Sequence, residues 1–211
     1  QVRTILQNSA DPANWWGNPG LGFLDNVHRQ GAGMLDIDDA ILATTKVEPG
    51  KLSLGESEGG PTAHVLTVEN KCGTAVTYDL SYVNALSTGG TITPSFYLSN
   101  AAVEFDTPSL TVPAKGKAMV TATIYPATGP SYGQYGGYIV LTPQGGGQVY
   151  RVPFAGFVGD YQAIQVLAPA GYEFPWLSVL YEGSYYHLTD PSDWTFTMQG
   201  EDVPHVLVHF E

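Results

Sequence analysis

Cysteine and positive charge are both scarce in this chain, and each scarcity excludes a class of protein. Cys72 is the sole cysteine, so the chain has no internal disulfide, no zinc site built from several cysteines and no iron–sulfur cluster. Lysine and arginine together number 8, against 20 aspartate and glutamate residues, for a net charge of −12. Nucleic-acid binding needs a basic surface that contacts phosphates. The composition therefore argues against nucleic acid as a partner, and by the same reasoning against anionic membrane surfaces.

Long hydrophobic runs are also missing. No apolar stretch approaches the ~20 residues that a membrane-spanning helix needs, and QVRTILQNSAD lacks the basic and apolar regions of a signal peptide. The 25 glycines and 15 prolines separate short apolar runs. This spacing favours many turns and few long helices.

Two short helices are predicted before Lys46. The first covers residues 2–10, and Pro12 marks its end. The second covers residues 36–43, with Asp36 as its N-cap. Apolar residues follow helical spacing in both segments: Val2, Ile5 and Leu6 in the first, and Ile37, Ala40 and Ile41 in the second.

From Lys46 onward the apolar period changes from 3.6 to 2, which is typical of β-strands. The stretch AHVLTVEN places Leu66 and Val68 on one face, and KAMVTATIYP places Val120, Ala122 and Ile124 inward. The loop QGGG between GGYIVLTP and QVYRVPFAGF predicts a hairpin. Short strands at this spacing, without helices between them, predict a mainly β chain with an antiparallel β-sandwich.

One serine lies in a catalytic-looking motif. GESEG at 55–59 matches the G-x-S-x-G nucleophile elbow, with Ser57 as the nucleophile. That motif needs a strand–turn–helix geometry, whereas here another strand follows, and Glu56 and Glu58 would oppose a neighbouring oxyanion. We therefore expect a hairpin loop and no catalytic residue. An independent hydrolase built on Ser57 is the weakest hypothesis.

Two groups of residues resemble metal ligands, and we expect no metal site at either. Asp36 and Asp38 begin like a calcium loop, but its sixth and twelfth positions hold Ile41 and Val47 instead of Gly and Glu. His205 and His209 lie about 13 Å apart by strand rise, too far to bind one metal. The other histidines are scattered along the chain: His28, His64 and His187. No cofactor-binding motif stands out.

The loop GPSYGQYGGYIV presents Tyr132, Tyr135 and Tyr138 among glycines. Aromatic side chains on the rim of a sandwich can stack on sugars or bind a partner chain. This loop therefore supports an alternative function, an extracellular binding or adhesion module for cell-wall glycan or protein.

The opening segments resemble the end of the catalytic domain in subtilisin-like serine proteases. In that family a pattern V-R-x-x-L-x-N-T-A on a helix is followed by R-Q-G-A-G and a final short helix. The matching positions here are Val2, Arg3, Leu6, Asn8, Ser9 (where Thr is usual) and Ala10, then Arg29, Gln30, Gly31, Ala32 and Gly33. The stretch from KVEPGKLSLGES to VPFAGFVGDY resembles the fibronectin-III-like domain that follows the protease in extended subtilases.

The resemblance implies three regions. Residues 1–45 would be the C-terminal remnant of the catalytic domain, residues 46–160 a fibronectin-III/immunoglobulin-like sandwich, and residues 161–211 a linker and the start of a further β-rich domain. Without its α/β core, the segment 1–27 is expected to pack on the sandwich or a second copy, or to be mobile. The family's D-[ST]-G, H-G-T and G-T-S-[MV]-A motifs are all absent, so no catalytic residue is carried over.

The resemblance also implies a function. The chain is expected to be a non-catalytic accessory region of a secreted or cell-envelope subtilisin-like endopeptidase. It would brace the catalytic domain or contribute exosite contacts to protein substrates. Its implied partners are the catalytic domain and those substrates, and the resemblance is compatible with calcium in the parent enzyme.

Overall fold

The computed structural model describes residues 2–90, 94–163, 174–189 and 194–208. The chain divides into two compact units, Gln1–Tyr161 and Gln162–Glu211. Residues before Lys46 lie in the same unit as the sandwich, and their origin as the end of a catalytic domain stays a prediction. No helix in the described residues is long and apolar enough to cross a membrane.

The helices of the first unit precede its strands. The α-helices are α1 (Val2–Asn8), α2 (Val27–Gln30) and α3 (Ile37–Leu42), and two 3-10 turns cover Pro19–Leu21 and Ser57–Gly59. The strands are β1 (Thr45–Glu48), β2 (Leu52–Glu56), β3 (Thr62–Asn70), β4 (Val76–Asn84), β5 (Ser87–Gly89), β6 (Ser95–Tyr97), β7 (Ala102–Phe105), β8 (Ser109–Val112), β9 (Lys117–Tyr125), β10 (Gln134–Pro143) and β11 (Tyr150–Phe157).

These strands form two facing sheets. One has the order β1-β3-β9-β7, and the other has the order β2-β11-β10-β4-β8, with β5 and β6 as a ribbon beside β10. Strand β2 runs parallel to β11. The neighbouring pairs β3–β9 and β10–β11 are antiparallel.

The core lies between the two sheets and follows the predicted period of two. Leu66 and Val68 of β3 are fully buried, whereas the preceding residue, Val65, is 54% exposed. Val120, Ala122 and Ile124 are buried from β9, and they meet core residues of the other sheet such as Ile139, Val152 and Phe154. The predicted mainly β, fibronectin-III/immunoglobulin-like sandwich with a few short helices is confirmed.

One local prediction was wrong, and one strand was not predicted. The GESEG stretch does not close a hairpin, because β2 pairs with β11 while β3 pairs with β1 and β9. The turn at Ser57–Gly59 instead carries the chain from one sheet to the other. The short strand β1 was also missed, because TKVE offers only four residues of pattern.

The second unit contains a three-stranded antiparallel sheet of order β13-β12-β14. Its strands are β12 (Trp176–Tyr181), β13 (Ser184–His187) and β14 (His205–Leu207). The apolar patterns of EGSYYHL, TFTMQG and PHVLVHFE predict three strands in this region, and β13 and β14 lie in the first and third of these stretches. The stretch TFTMQG is not a strand; it leads into a turn in which Asp202 accepts hydrogen bonds from the backbone and hydroxyl of Thr197.

Candidate docking surface

The segment 2–42 packs against the sandwich. Helix α1 contacts β1 and β11, and α2 contacts β10 and β11. Of the alternatives expected for residues 1–27, the structure shows packing on the sandwich for residues 2–27. The side-chain amides of Asn8 and Asn26 attach this segment to the sandwich, in addition to its apolar contacts.

Asn8 at the end of α1 is fully buried and joins two strands. Its Oδ1 accepts a hydrogen bond from the backbone N–H of Val47 at 2.8 Å, and its Nδ2 donates to the carbonyl of Arg151 at 3.2 Å. The Arg151 guanidinium in turn contacts the Asp11 carboxylate at 2.8 Å. One asparagine thus satisfies buried backbone groups of β1 and β11.

Asn26 makes a second buried connection. Its Oδ1 caps α2 by accepting from the N–H of His28 at 2.8 Å. Its Nδ2 donates to the carbonyls of Leu86 at 2.8 Å and Gln134 at 3.0 Å. The same side chain therefore begins the helix and holds it on the sheet.

The RQGAG stretch closes the loop between the helices. The carbonyl of Gly31 accepts from the Tyr138 hydroxyl at 2.8 Å, and burial raises the pKa of Tyr138. Gly33 has a φ of +117°, and an added Cβ would lie 2.4 Å from the carbonyl carbon of Asp11. Only glycine therefore allows the backbone bridge between Asp11 and Met34.

The side of this segment away from the sandwich exposes an unusual number of large apolar side chains. We call the following set the N-terminal apolar surface: Val2, Met34, Leu35, Ile37, Ile41 and Leu42, each between 52% and 77% exposed. Helices α1 and α3 contact each other, and Val2, Leu6 and Leu35 line one cleft of about 430 Å³. Large exposed apolar patches are found at protein–protein interfaces and ligand-binding grooves, so this surface is a candidate docking surface.

The predicted cap of α3 is confirmed. Its predicted apolar stripe is largely exposed instead of packed into the core. Asp36 Oδ1 accepts from the backbone N–H of Asp39 at 2.9 Å. The stripe does not reach the sandwich core, because Ile37 is 52% exposed and Ile41 is 77% exposed. Asp36 and Asp38 lie at the start of this helix and form no calcium loop.

Ser57 contacts a segment that is distant in sequence, and the absence of a catalytic role for it stays a prediction. Its Oγ accepts a hydrogen bond from the backbone N–H of Gly159 at 2.8 Å. Beside it the carboxylates of Glu56, Glu58 and Asp160 lie within 4.8 Å of one another. The negative charge of Asp160, followed by partial desolvation and Glu56, raises the pKa of Glu58. The sequence did not reveal this cluster, because Asp160 arrives through the tertiary fold.

The three tyrosines predicted as a binding loop do not share a surface. Tyr135 and Tyr138 are buried at 2% and 0% exposure, and only Tyr132 is exposed. Tyr132 stacks on Phe157 with ring centroids 6.2 Å apart. Period two along β10 would place Tyr132 and Tyr138 together, but Tyr132 precedes the strand and adopts a left-handed backbone with a φ of +58°.

Two of the described histidines lie apart in the first unit, and the other two, His187 and His205, both lie opposite Ser178 of β12 in the second unit. His28 Nε2 is 3.1 Å from the carbonyl of Gly156, and His64 Nε2 is 3.0 Å from the hydroxyl of Thr62. In the second unit His187 stacks on Trp176 and His205 contacts Tyr185 edge-on. His209 lies outside the described residues. That the chain holds no metal or cofactor stays a prediction.

The sandwich matches a known family model. Residues 52–155 match the Fn3-like domain family. Domains of this family are generally non-catalytic, in agreement with the missing protease motifs in this chain. No match to the sequence was found among curated proteins.

The comparison with solved structures finds similarity only at low identity. A PapD-like domain of human CEP192 is 18% identical, with 55% of this chain and 84% of that chain covered and a TM-score of 0.42. A FixG-related protein from Vibrio parahaemolyticus is 11% identical, with coverages of 56% and 98% and a TM-score of 0.38. The CupB2 chaperone of Pseudomonas aeruginosa is 15% identical, with coverages of 67% and 79% and a TM-score of 0.36. At these values the comparisons bear on neither function nor partner.

Proposed function

We propose that this chain is the non-catalytic accessory region of a secreted or cell-envelope subtilisin-like serine endopeptidase. Its Fn3-like sandwich braces the catalytic domain and contributes contacts to protein substrates. Peptide-bond hydrolysis belongs to the catalytic domain, because the Asp, His and Ser motifs of the family are absent from this sequence.

The observation that carries the proposal is the N-terminal apolar surface on a segment that resembles the end of a subtilase catalytic domain. Its side chains are exposed, whereas the buried Asn8 and Asn26 attach the same segment to the sandwich. An α/β catalytic domain seated on it would bury several aliphatic side chains, each worth about 1.5–3 kcal/mol. The sandwich would then be held in a fixed orientation to the protease.

The test uses the complete product of the gene that encodes this chain. The double substitution Ile41→Asp and Leu42→Asp places two charges on the N-terminal apolar surface. Burying unpaired charges in an interface is costly, and a loss of about 1.4 kcal/mol in docking free energy corresponds to a factor of ten. We therefore expect the casein hydrolysis that remains after mild heating to fall more than about tenfold. The isolated 211-residue chain should keep its urea midpoint, because both side chains are exposed there.

A matched control is available on the outer face of the sandwich. Met119 on β9 is 66% exposed, and Met119→Asp should leave the heat resistance of casein hydrolysis unchanged. Equal behaviour of the double variant and the Met119 variant would contradict docking through the N-terminal apolar surface.

A second candidate function is a glycan- or protein-binding module centred on Tyr132. The support for this candidate is the backbone of Tyr132, whose φ of +58° lies in the left-handed region. Bulky residues rarely adopt this strained conformation, and such strain concentrates at functional sites. Cell-wall pull-down of the isolated chain, with Tyr132→Ala as the variant, tests it. Unchanged retention of the variant would remove this candidate.

A further inference from the structure

The cleft of about 430 Å³ on the N-terminal apolar surface is lined from two segments. Val2 and Leu6, one helical turn apart, line it from α1, and Ala32 and Leu35 line it from the stretch between α2 and α3. Val2 and Leu35 are 72% and 63% exposed. The side chains that anchor a protein–protein interface fill pockets of this kind, so the cleft suits a large apolar side chain of a partner.

A positive charge lies beside this apolar cleft. Arg3 lines the cleft next to Val2, and its side chain is exposed. Within the part of the chain that the structure describes, no carboxylate lies at ion-pair distance from Arg3. The other two arginines, Arg29 and Arg151, contact carboxylates at 3.4 and 2.8 Å. Arg3 is thus the exception in a chain with 20 acidic and 8 basic residues.

A partner that covers the cleft must also compensate Arg3. Contact with the neighbouring Val2 and Leu6 removes water from the guanidinium, and a charge that loses water without a new partner raises the free energy of the complex. A carboxylate is the matching group, because a guanidinium donates two parallel hydrogen bonds to it. Complementary charges of this kind also fix the orientation of two docked surfaces.

We propose that the catalytic domain binds this cleft with a large apolar side chain and binds Arg3 with an Asp or Glu carboxylate. The inference rests on the proposed function for the identity of the partner. The chemistry of the partner's surface follows from the apolar lining of the cleft and from the unpaired guanidinium at its side.

Charge reversal at Arg3 tests the proposal in the complete product of the gene. Arg3→Glu places like charges together, so we expect the casein hydrolysis that remains after mild heating to fall about fivefold or more in 50 mM NaCl. The loss should shrink in 0.5 M NaCl, because salt screens the charges. Arg3→Lys keeps the positive charge and should retain most of the heat resistance.

Lys71 provides the matched control. It lies in the turn after β3, it is exposed, and it also has no ion pair within the described residues. Lys71→Glu changes the net charge by the same amount as Arg3→Glu and should leave heat resistance unchanged. In the isolated chain, Arg3→Glu should not lower the urea midpoint, because no described ion pair is lost.

A crosslinking experiment identifies the carboxylate directly. Carbodiimide joins an amine to a carboxylate in contact with it without adding a spacer. In the complete Arg3→Lys variant, carbodiimide treatment followed by digestion and mass spectrometry should give a peptide that joins position 3 to an Asp or Glu of the catalytic domain. Adding Leu35→Asp places a charge in the cleft, opposes docking, and should lower the yield of that peptide about fivefold or more.

The outcomes separate this inference from the proposed function. Equal heat resistance of Arg3→Glu and Lys71→Glu, or crosslinks from position 3 only to residues of the 211-residue chain, would each overturn the inference. If the Ile41 and Leu42 substitutions still lower heat resistance in that case, the proposed function stands. A crosslink from position 3 to a domain without the protease motifs would contradict both.

Discussion

Single buried amides attach the N-terminal segment to the sandwich. The change Asn8→Ala leaves the N–H of Val47 and the carbonyl of Arg151 without their partner. A buried unsatisfied group costs about 1–3 kcal/mol, so the free energy of unfolding should fall by about that amount in urea denaturation followed by fluorescence.

Asn100 provides the matched comparison. It also makes two side-chain hydrogen bonds, both with Thr128, but in an exposed position. Water replaces the lost partners there, so Asn100→Ala should change the free energy of unfolding by less than about 1 kcal/mol. Equal losses for the two alanine variants would contradict the role given to Asn8.

A nearly buried lysine links pH to stability at the residue scale. The Lys46 Nζ lies 3.2 Å from carboxylate oxygens of both Glu48 and Glu69, and its side chain is 7% exposed. Burial acts to lower the pKa of Lys46, but the hydrogen bonds to both glutamates outweigh it and raise that pKa. The hydrogen bond from Lys46 lowers the pKa of Glu69.

The direction of the pH dependence follows from Glu69. Because its folded pKa lies below its ordinary value, its ionised form stabilises the fold above that ordinary value, and the stabilisation is lost as the pH falls through the folded pKa. Glu69→Gln should therefore lower the urea midpoint at pH 7 and have little effect at pH 2.5. A deficit of the same size at both pH values would show that packing, and not charge, is lost.

At the scale of elements, one glycine holds the loop between α1 and α3 in place. In Gly33→Ala the residue keeps a φ of +117°, and its Cβ lies 2.4 Å from backbone atoms of Asp11. We expect the free energy of unfolding to fall by at least about 1 kcal/mol. Gly145→Ala is the control, since nothing lies within 4 Å of its added Cβ and its φ is not positive. A Gly33 variant as stable as the Gly145 variant would contradict this geometry.

The strands were the most predictable elements, because burial between two sheets imposes a period of two. Leu66, Val68 and Ile124 could be placed in the core from that pattern alone. The same pattern led to the wrong prediction of a hairpin at GESEG, because the sequence does not show which sheet the next strand joins. It also failed for Tyr135 and Tyr138, whose burial depends on contacts with distant segments, such as the Gly31 carbonyl.

At the scale of the whole molecule, the segment before Lys46 carries the N-terminal apolar surface on which the proposed function rests. Helical spacing predicted α1 and α3, and the Asp36 cap was predictable from local chemistry. The contacts of Asn8 with Val47 and Arg151 were not, because they join residues up to 143 positions apart in sequence. The cluster of Glu56, Glu58 and Asp160 could not be found from the sequence either, because the fold brings Asp160 next to Glu58.

The most direct test of the central claim is the coding sequence that precedes the codon for Gln1. The account predicts a G-T-S-[MV]-A serine motif a few dozen codons upstream, with H-G-T earlier in the same frame. The N-terminal apolar surface would then have a subtilisin-like catalytic domain as its partner. An upstream frame that encodes a different domain, without these motifs, would contradict the account and leave the Tyr132-centred binding module as the leading function.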